Sequence, residues 1–132
     1  MNISASLVNE GSRHTVVVQT GENSQPVMIP AKATANGSAV NGGELLCLAL
    51  ATCFCNDLYR EASRSGMKLT KVTVDAWAEF GAAGEPGKAF HYKAYVEADA
   101  PQAEIDALIR ATDGVAEIQK TLRNGVAVQL VV

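Results

Sequence analysis

The chain has 132 residues and a mass of 13.9 kDa, room for one hydrophobic core and too little for two independent ones. Hydrophobic residues make up 48%, charged ones 19% and aromatics 5%, so intrinsic disorder of the whole chain is excluded. Fourteen acidic against eleven basic side chains give a net charge of -3, and without a strongly basic block a general nucleic-acid platform is excluded as the leading idea. Low charge and many small apolar residues point instead to a surface partly covered by another subunit.

In chain order, residues 3–8 and 14–20 are β-favouring stretches separated by Asn9-Glu10-Gly11-Ser12, which reads as a hairpin turn. Residues 21–43 are rich in turn formers, with a further strand expected at Val27-Met28-Ile29 between Pro26 and Pro30. Residues 44–65 form the strongest helical signal, with Glu44 at the start, Arg60 and Arg64 near the end, and Gly66 as the stop. The first half of this helix is apolar around most of its circumference, so one sheet face would leave part of it uncovered. Period-two alternation follows from Leu69 to Phe80, and residues 90–97 are a second strand candidate expected to pair with it antiparallel across the hairpin connection 81–88. Pro101 precedes a helix over 102–113, with Ile105, Leu108 and Ile109 on its buried face. Residues 115–123 suit a short further helix, and Asn124-Gly125 turns the chain toward an expected terminal strand at 126–132. The class is α+β, in one domain over 1–132.

No apolar run reaches the roughly 18 residues of a membrane span, and the opening residues lack the pattern of a secretory signal, so a soluble cytoplasmic protein with no membrane partner is expected. Neither a phosphate-binding glycine loop nor a zinc-ligand spacing is present, so no cofactor and no metal is expected. Cys47, Cys53 and Cys55 all fall on the long helix, where neither Cys53 with Cys55 nor Cys47 with Cys53 is placed to form a direct disulfide. Asn56 and Asp57 follow Cys53 at i+3 and i+4 and share its face, and a basic residue such as Arg13 or Arg60 could lower its thiol pKa. Buried packing is the alternative for each cysteine. His14 and His91 lie in strand-like segments and read as surface or packing residues.

The stretch from Gly42 to Gly66, with Glu44-Leu45-Leu46, Ala51-Thr52 and Cys53-Phe54, resembles the central helix and reactive cysteine of the OsmC/Ohr superfamily, which is associated with osmotic induction and organic-hydroperoxide resistance. The element order extends the resemblance over nearly the whole chain. It implies an OsmC-like fold of curved antiparallel sheets around a long central helix, in an intertwined homodimer. It further implies Cys53 as the peroxidatic thiol and Arg13, from the N-terminal sheet, as its stabilising partner. Two features depart from the family pattern. Gly42 and Gly43 stand where reactive members have proline and glutamate, leaving Glu44 one position on. Ala116 stands where the resolving cysteine is expected. The resemblance thus implies reduction of an organic hydroperoxide with an external thiol as reductant, with Glu44, Cys47, Cys55 and Asp57 as auxiliary candidates. The competing reading is a non-catalytic stress-associated protein that either binds a small hydrophobic ligand, in a pocket lined by Leu50 and Phe54, or serves a redox-sensing role.

Overall fold

A computed structural model describes residues 1–132, which divide into two compact units, Met1–Glu44 and Leu45–Val132. In the first unit, β1 (Ile3–Glu10) and β2 (Arg13–Thr20) pair antiparallel from Ile3 opposite Thr20 to Glu10 opposite Arg13. Their two-residue turn opens with Gly11 at φ +60°, a conformation that matches strand twist and that glycine adopts without a Cβ clash. β3 (Asn23–Pro26) completes a three-stranded sheet along the other edge of β2. The expected strand at Val27-Met28-Ile29 is therefore displaced toward the N-terminus. Val27 still donates to the Val16 carbonyl at 2.9 Å, but Met28 is exposed and Pro30 has no N–H with which to extend the ladder. Beyond it, the Asn9 side chain fixes the loop by accepting from the Gly37 N–H at 3.1 Å.

Helix α1 (Gly42–Arg64) begins on a reciprocal cap. The Asn41 side chain accepts from the Glu44 N–H at 2.8 Å, and the Glu44 carboxylate accepts from the Asn41 N–H at 2.7 Å. The helix runs roughly 35 Å at its normal rise. Leu50, Phe54, Leu58 and Ala62, four residues apart, form its buried stripe. Burying side chains such as Phe54 and Leu58 contributes about 1.5–3 kcal/mol each.

β4 (Leu69–Phe80) and β5 (Gly87–Ala98) form a two-stranded antiparallel hairpin. A register shift between Leu69 and Lys71 changes the phase of alternation, so that Val72 and Val74, with Tyr92, Ala94 and Val96 opposite, pack toward the core. Helix α2 (Gln102–Asp113) buries Ile105 and Leu108 as expected, together with Thr112, while Ile109 is half-buried against the core. A short α3 (Glu117–Arg123) follows, and the core of this unit joins Phe54, Leu58, Ala62, Leu108 and Ala116.

The α+β class stands, with two sheets and three helices, but two expectations do not. Curved sheets wrapped around a central helix in an intertwined dimer are replaced by two separate open sheets, whose ladders, β1–β2–β3 and β4–β5, are formed within one chain. Residues 126–132 alternate like a strand yet form none, and Val128 and Leu130 are exposed. Alternation supplies a face; a strand also requires a ladder partner for its backbone groups, and this segment pairs with neither sheet.

Candidate functional site

The i+4 relation on α1 brings Cys53 and Asp57 together: the thiol donates to Asp57 Oδ2 at 3.4 Å. α3 supplies a second carboxylate from 64 residues away, with Cys53 Sγ 3.9 Å from Glu117 Oε2. Arg60, one turn beyond Asp57, does not touch the sulfur. Its Nη1 lies 2.9 Å from Asp57 Oδ1 and 3.3 Å from Glu117 Oε1, and its Nε donates to Glu61 at 3.0 Å. Glu61 also receives Arg64 Nη1 at 3.0 Å, which closes a chain of charges along this side of the helix. Asp57 is only 4% exposed, so its charge depends on these neighbours for compensation.

The electrostatics follow from burial first. Burial pushes the Cys53 thiol above its ordinary range, and the hydrogen bond and charge of Asp57 push the same way. The backbone N–H groups of Ile118 and Glu117, at the start of α3, act in the opposite sense by stabilising a thiolate. Asp57 is itself raised, chiefly by burial and further by the Glu117 charge, while the Cys53 hydrogen bond and Arg60 pull it down. Glu117 is held low, chiefly by its own backbone N–H and then by Asp57 and Arg60. Of the two carboxylates, Asp57 is accordingly the one disposed to hold a proton.

One ligand atom from each of Cys53, Asp57 and Glu117 lies within 4.8 Å of the others, a spacing that could surround a cation. The Arg60 guanidinium already compensates both carboxylates, and the arrangement reads as an ion-paired thiol site rather than a metal centre.

The other residues singled out from the sequence lie on several elements. Arg13 begins β2 in the N-terminal unit, opposite Glu10. Glu44 is engaged in the helix cap. Cys47 and Cys55 are free, half-buried thiols, and Cys55 borders a shallow hollow with Ala51, Thr52, Asn56 and Val74. Ala116 is fully buried in the core, immediately before Glu117. Leu50 and Phe54 are both buried; Phe54 alone of the pair borders a cavity of about 490 Å³, shared with Tyr92, Lys93, Ala94, Ile109, Arg110 and Asp113. His14 meets the Asn9 amide at 3.1 Å, and His91 is exposed and stacked on Trp77. Sequence reasoning missed Glu117. Its only local signal is an acidic residue opening a short helix, which does not reveal a contact with α1.

Comparison with known proteins bears on the fold and the family. No curated protein sequence matches the chain. Among solved structures, an OsmC-like protein from Mycoplasma pneumoniae superposes with a TM-score of 0.68 at 14% identity, covering 94% of this chain and 87% of that one. An organic hydroperoxide resistance protein OsmC from Legionella pneumophila gives 0.60 at 20% identity, covering 96% and 92%. A putative organic hydroperoxide resistance protein from Vibrio cholerae, with captopril bound in one of its active sites, gives 0.60 at 18% identity, covering 98% and 89%. At these identities the likeness establishes the fold. No helix is long and apolar enough to cross a membrane. Residues 35–131 match the family model for OsmC-like protein, and the chain belongs to that family, whose fold is consistent with a redox or stress role.

Proposed function

We propose that the chain reduces organic hydroperoxides through Cys53, with an external thiol as reductant. The observation that carries this reading is the half-buried Cys53 thiol donating to the buried Asp57 carboxylate, within an ion-paired cluster. Solved structures of similar fold that are named for organic hydroperoxide resistance add support.

In the proposed reaction Asp57 accepts the thiol proton, and the sulfur lone pair attacks the terminal peroxide oxygen. An S–O bond forms, the O–O bond breaks, and the leaving alkoxide takes up a proton to depart as an alcohol. Cys53 is then a sulfenic acid, oxidised by two electrons. One external thiol condenses with it to give a mixed disulfide and water. A second attacks the external sulfur, releasing a symmetrical disulfide and restoring the Cys53 thiol. An external reductant suits this chain because Ala116 has no sulfur to offer. Cys55 points about 200° around the helix from Cys53, and Cys47 lies about 9 Å from it along the axis.

A second copy of the chain is proposed as a partner, without intertwining, because Leu48 on α1 and Trp77 and Tyr95 on the hairpin remain exposed. A solution mass near twice 13.9 kDa supports that association, and a stable monomer at working concentration overturns it.

A non-catalytic role, in small-ligand binding or redox sensing, is the second reading; the upward push on the Cys53 thiol, which keeps it protonated near neutral pH and slows its attack on a peroxide, weighs against rapid turnover. Intact mass after treatment with an organic hydroperoxide, compared with Cys53→Ala, distinguishes the two. Peroxidase action requires one added oxygen on Cys53 and repeated substrate consumption when a thiol is supplied. Oxidation without turnover favours sensing. Equal slow consumption by the protein and the variant overturns the catalytic role.

A further inference from the structure

Arg60 is built into the Cys53 site without meeting the sulfur, and one of its nitrogens explains how the carboxylates are aimed. Nη1 lies 2.9 Å from Asp57 Oδ1 and 3.3 Å from Glu117 Oε1, so a single guanidinium nitrogen holds one oxygen of each carboxylate. The remaining oxygens, Asp57 Oδ2 and Glu117 Oε2, are the two that approach Cys53 Sγ, at 3.4 and 3.9 Å. The carboxylates come from different helices, α1 and α3. Glu61 steadies the guanidinium by accepting from Nε, and Arg64 Nη1 bonds the same Glu61 oxygen.

We propose that Arg60 is the positioning residue of the Cys53 site: it clamps Asp57 and Glu117 across two helices, turns their free oxygens onto the thiol, and compensates the charge that would otherwise oppose thiolate formation. This inference rests on Cys53 being the reacting thiol. Without the guanidinium, the carboxylates stand beside the sulfur with nothing to offset their charge, and negative charge on the sulfur becomes harder to form. Burial, the Asp57 carboxylate on α1 and the N–H groups of Ile118 and Glu117 act on the thiol's titration directly, the Glu117 carboxylate on α3 faces the sulfur at 3.9 Å, and Arg60 stands between the two carboxylates. Glu61 acts through Arg60. Arg60 touches no reacting atom in this arrangement and works through its two partners.

The test is the pH profile of Cys53 alkylation by iodoacetamide, read by peptide mass so that Cys47 and Cys55 are counted separately. It needs no hydroperoxide. Arg60→Gln is expected to slow alkylation of Cys53 about threefold or more at pH 8 and to move the profile to higher pH, since one pKa unit is a factor of ten in thiolate below the midpoint. Arg60→Lys, which keeps the charge but not the planar fork, is expected to recover part of that loss. Glu117→Gln, which removes one negative charge beside the sulfur, is expected to quicken alkylation. Opposite signs for Arg60→Gln and Glu117→Gln exclude simple unfolding, which would expose the thiol in both. An Arg60→Gln profile equal to or faster than that of the unaltered protein overturns the proposal, as does a Cys53 that resists alkylation at every pH in the native fold. Failure of the hydroperoxide reading is seen separately, as equal peroxide consumption by Cys53→Ala.

Discussion

Cys53 and Cys55 stand two residues apart on α1, yet the helix gives them different surroundings. Cys53 packs against the core of Phe54, Leu58, Ala62, Leu108 and Ala116 and is held by Asp57 and Glu117. Cys55 borders a hollow of about 290 Å³ made by Ala51, Thr52, Asn56 and Val74, with no carboxylate or guanidinium among them. A rotation of about 200° separates these directions. Side-chain type is therefore a poor guide to reactivity here; what distinguishes Cys53 is a neighbouring turn that carries Asp57 and Arg60, and a second helix that brings Glu117.

The contrast depends on the core that locks α1 against its neighbours, so the largest effect is expected from removing part of that core. Leu58→Ala leaves a cavity at a fully buried position and is expected to cost about 2–5 kcal/mol, read as a lower midpoint in urea unfolding. A loss below about 1 kcal/mol would show that this side of the helix is not the rigid one. Next in size is the thiol pair itself. Cys53→Ala is expected to lower hydroperoxide consumption by about 100-fold, roughly 2.7 kcal/mol in the barrier, while Cys55→Ala leaves it within a factor of about two. Equal losses from both substitutions would erase the distinction between the two faces.

Much of this architecture is legible in the sequence because it rests on local spacing. β-favouring stretches around a turn locate β1 and β2, period-two alternation locates β4 with β5 as its partner, and Ile105 and Leu108 after Pro101 locate α2. Asp57 is legible as a Cys53 neighbour for the same reason, since i and i+4 meet on any α-helix. Arg60 is visible as a basic residue nearby, but its task is not: it binds the carboxylates rather than the sulfur. Glu117 is invisible because its contact spans 64 positions and depends on how α3 packs on α1. Residues 126–132 fail in the opposite way, with a good local pattern and no ladder partner to make it a strand.

The pH dependence of Cys53 sharpens the comparison at a smaller scale. Burial and Asp57 raise the thiol, so thiolate accumulates only above the ordinary thiol range. Alkylation of Cys53 is expected to climb through a midpoint higher than that of a free thiol and to be slower than it at pH 7. Asp57→Asn removes the acceptor and a negative charge but leaves the burial, and the midpoint is expected to fall, quickening alkylation about threefold at pH 7. An unchanged profile would mean that Asp57 does not govern the thiol.

The smallest expected effect lies at the start of α1, and it separates the helix as scaffold from the thiol site it carries. Asn41 and Glu44 satisfy each other's backbone N–H groups, so neither side chain needs to serve Cys53 in order to explain its position. Asn41→Ala removes the acceptor for the Glu44 N–H and is expected to cost about 0.5–2 kcal/mol, measured by urea unfolding. Because the cap lies three turns before Cys53, the Cys53 alkylation profile should stay where it was. A stability loss with an unmoved profile assigns the Asn41–Glu44 pair to the helix alone, whereas a shifted profile would give Glu44 the auxiliary role suggested by its place near the start of the helix.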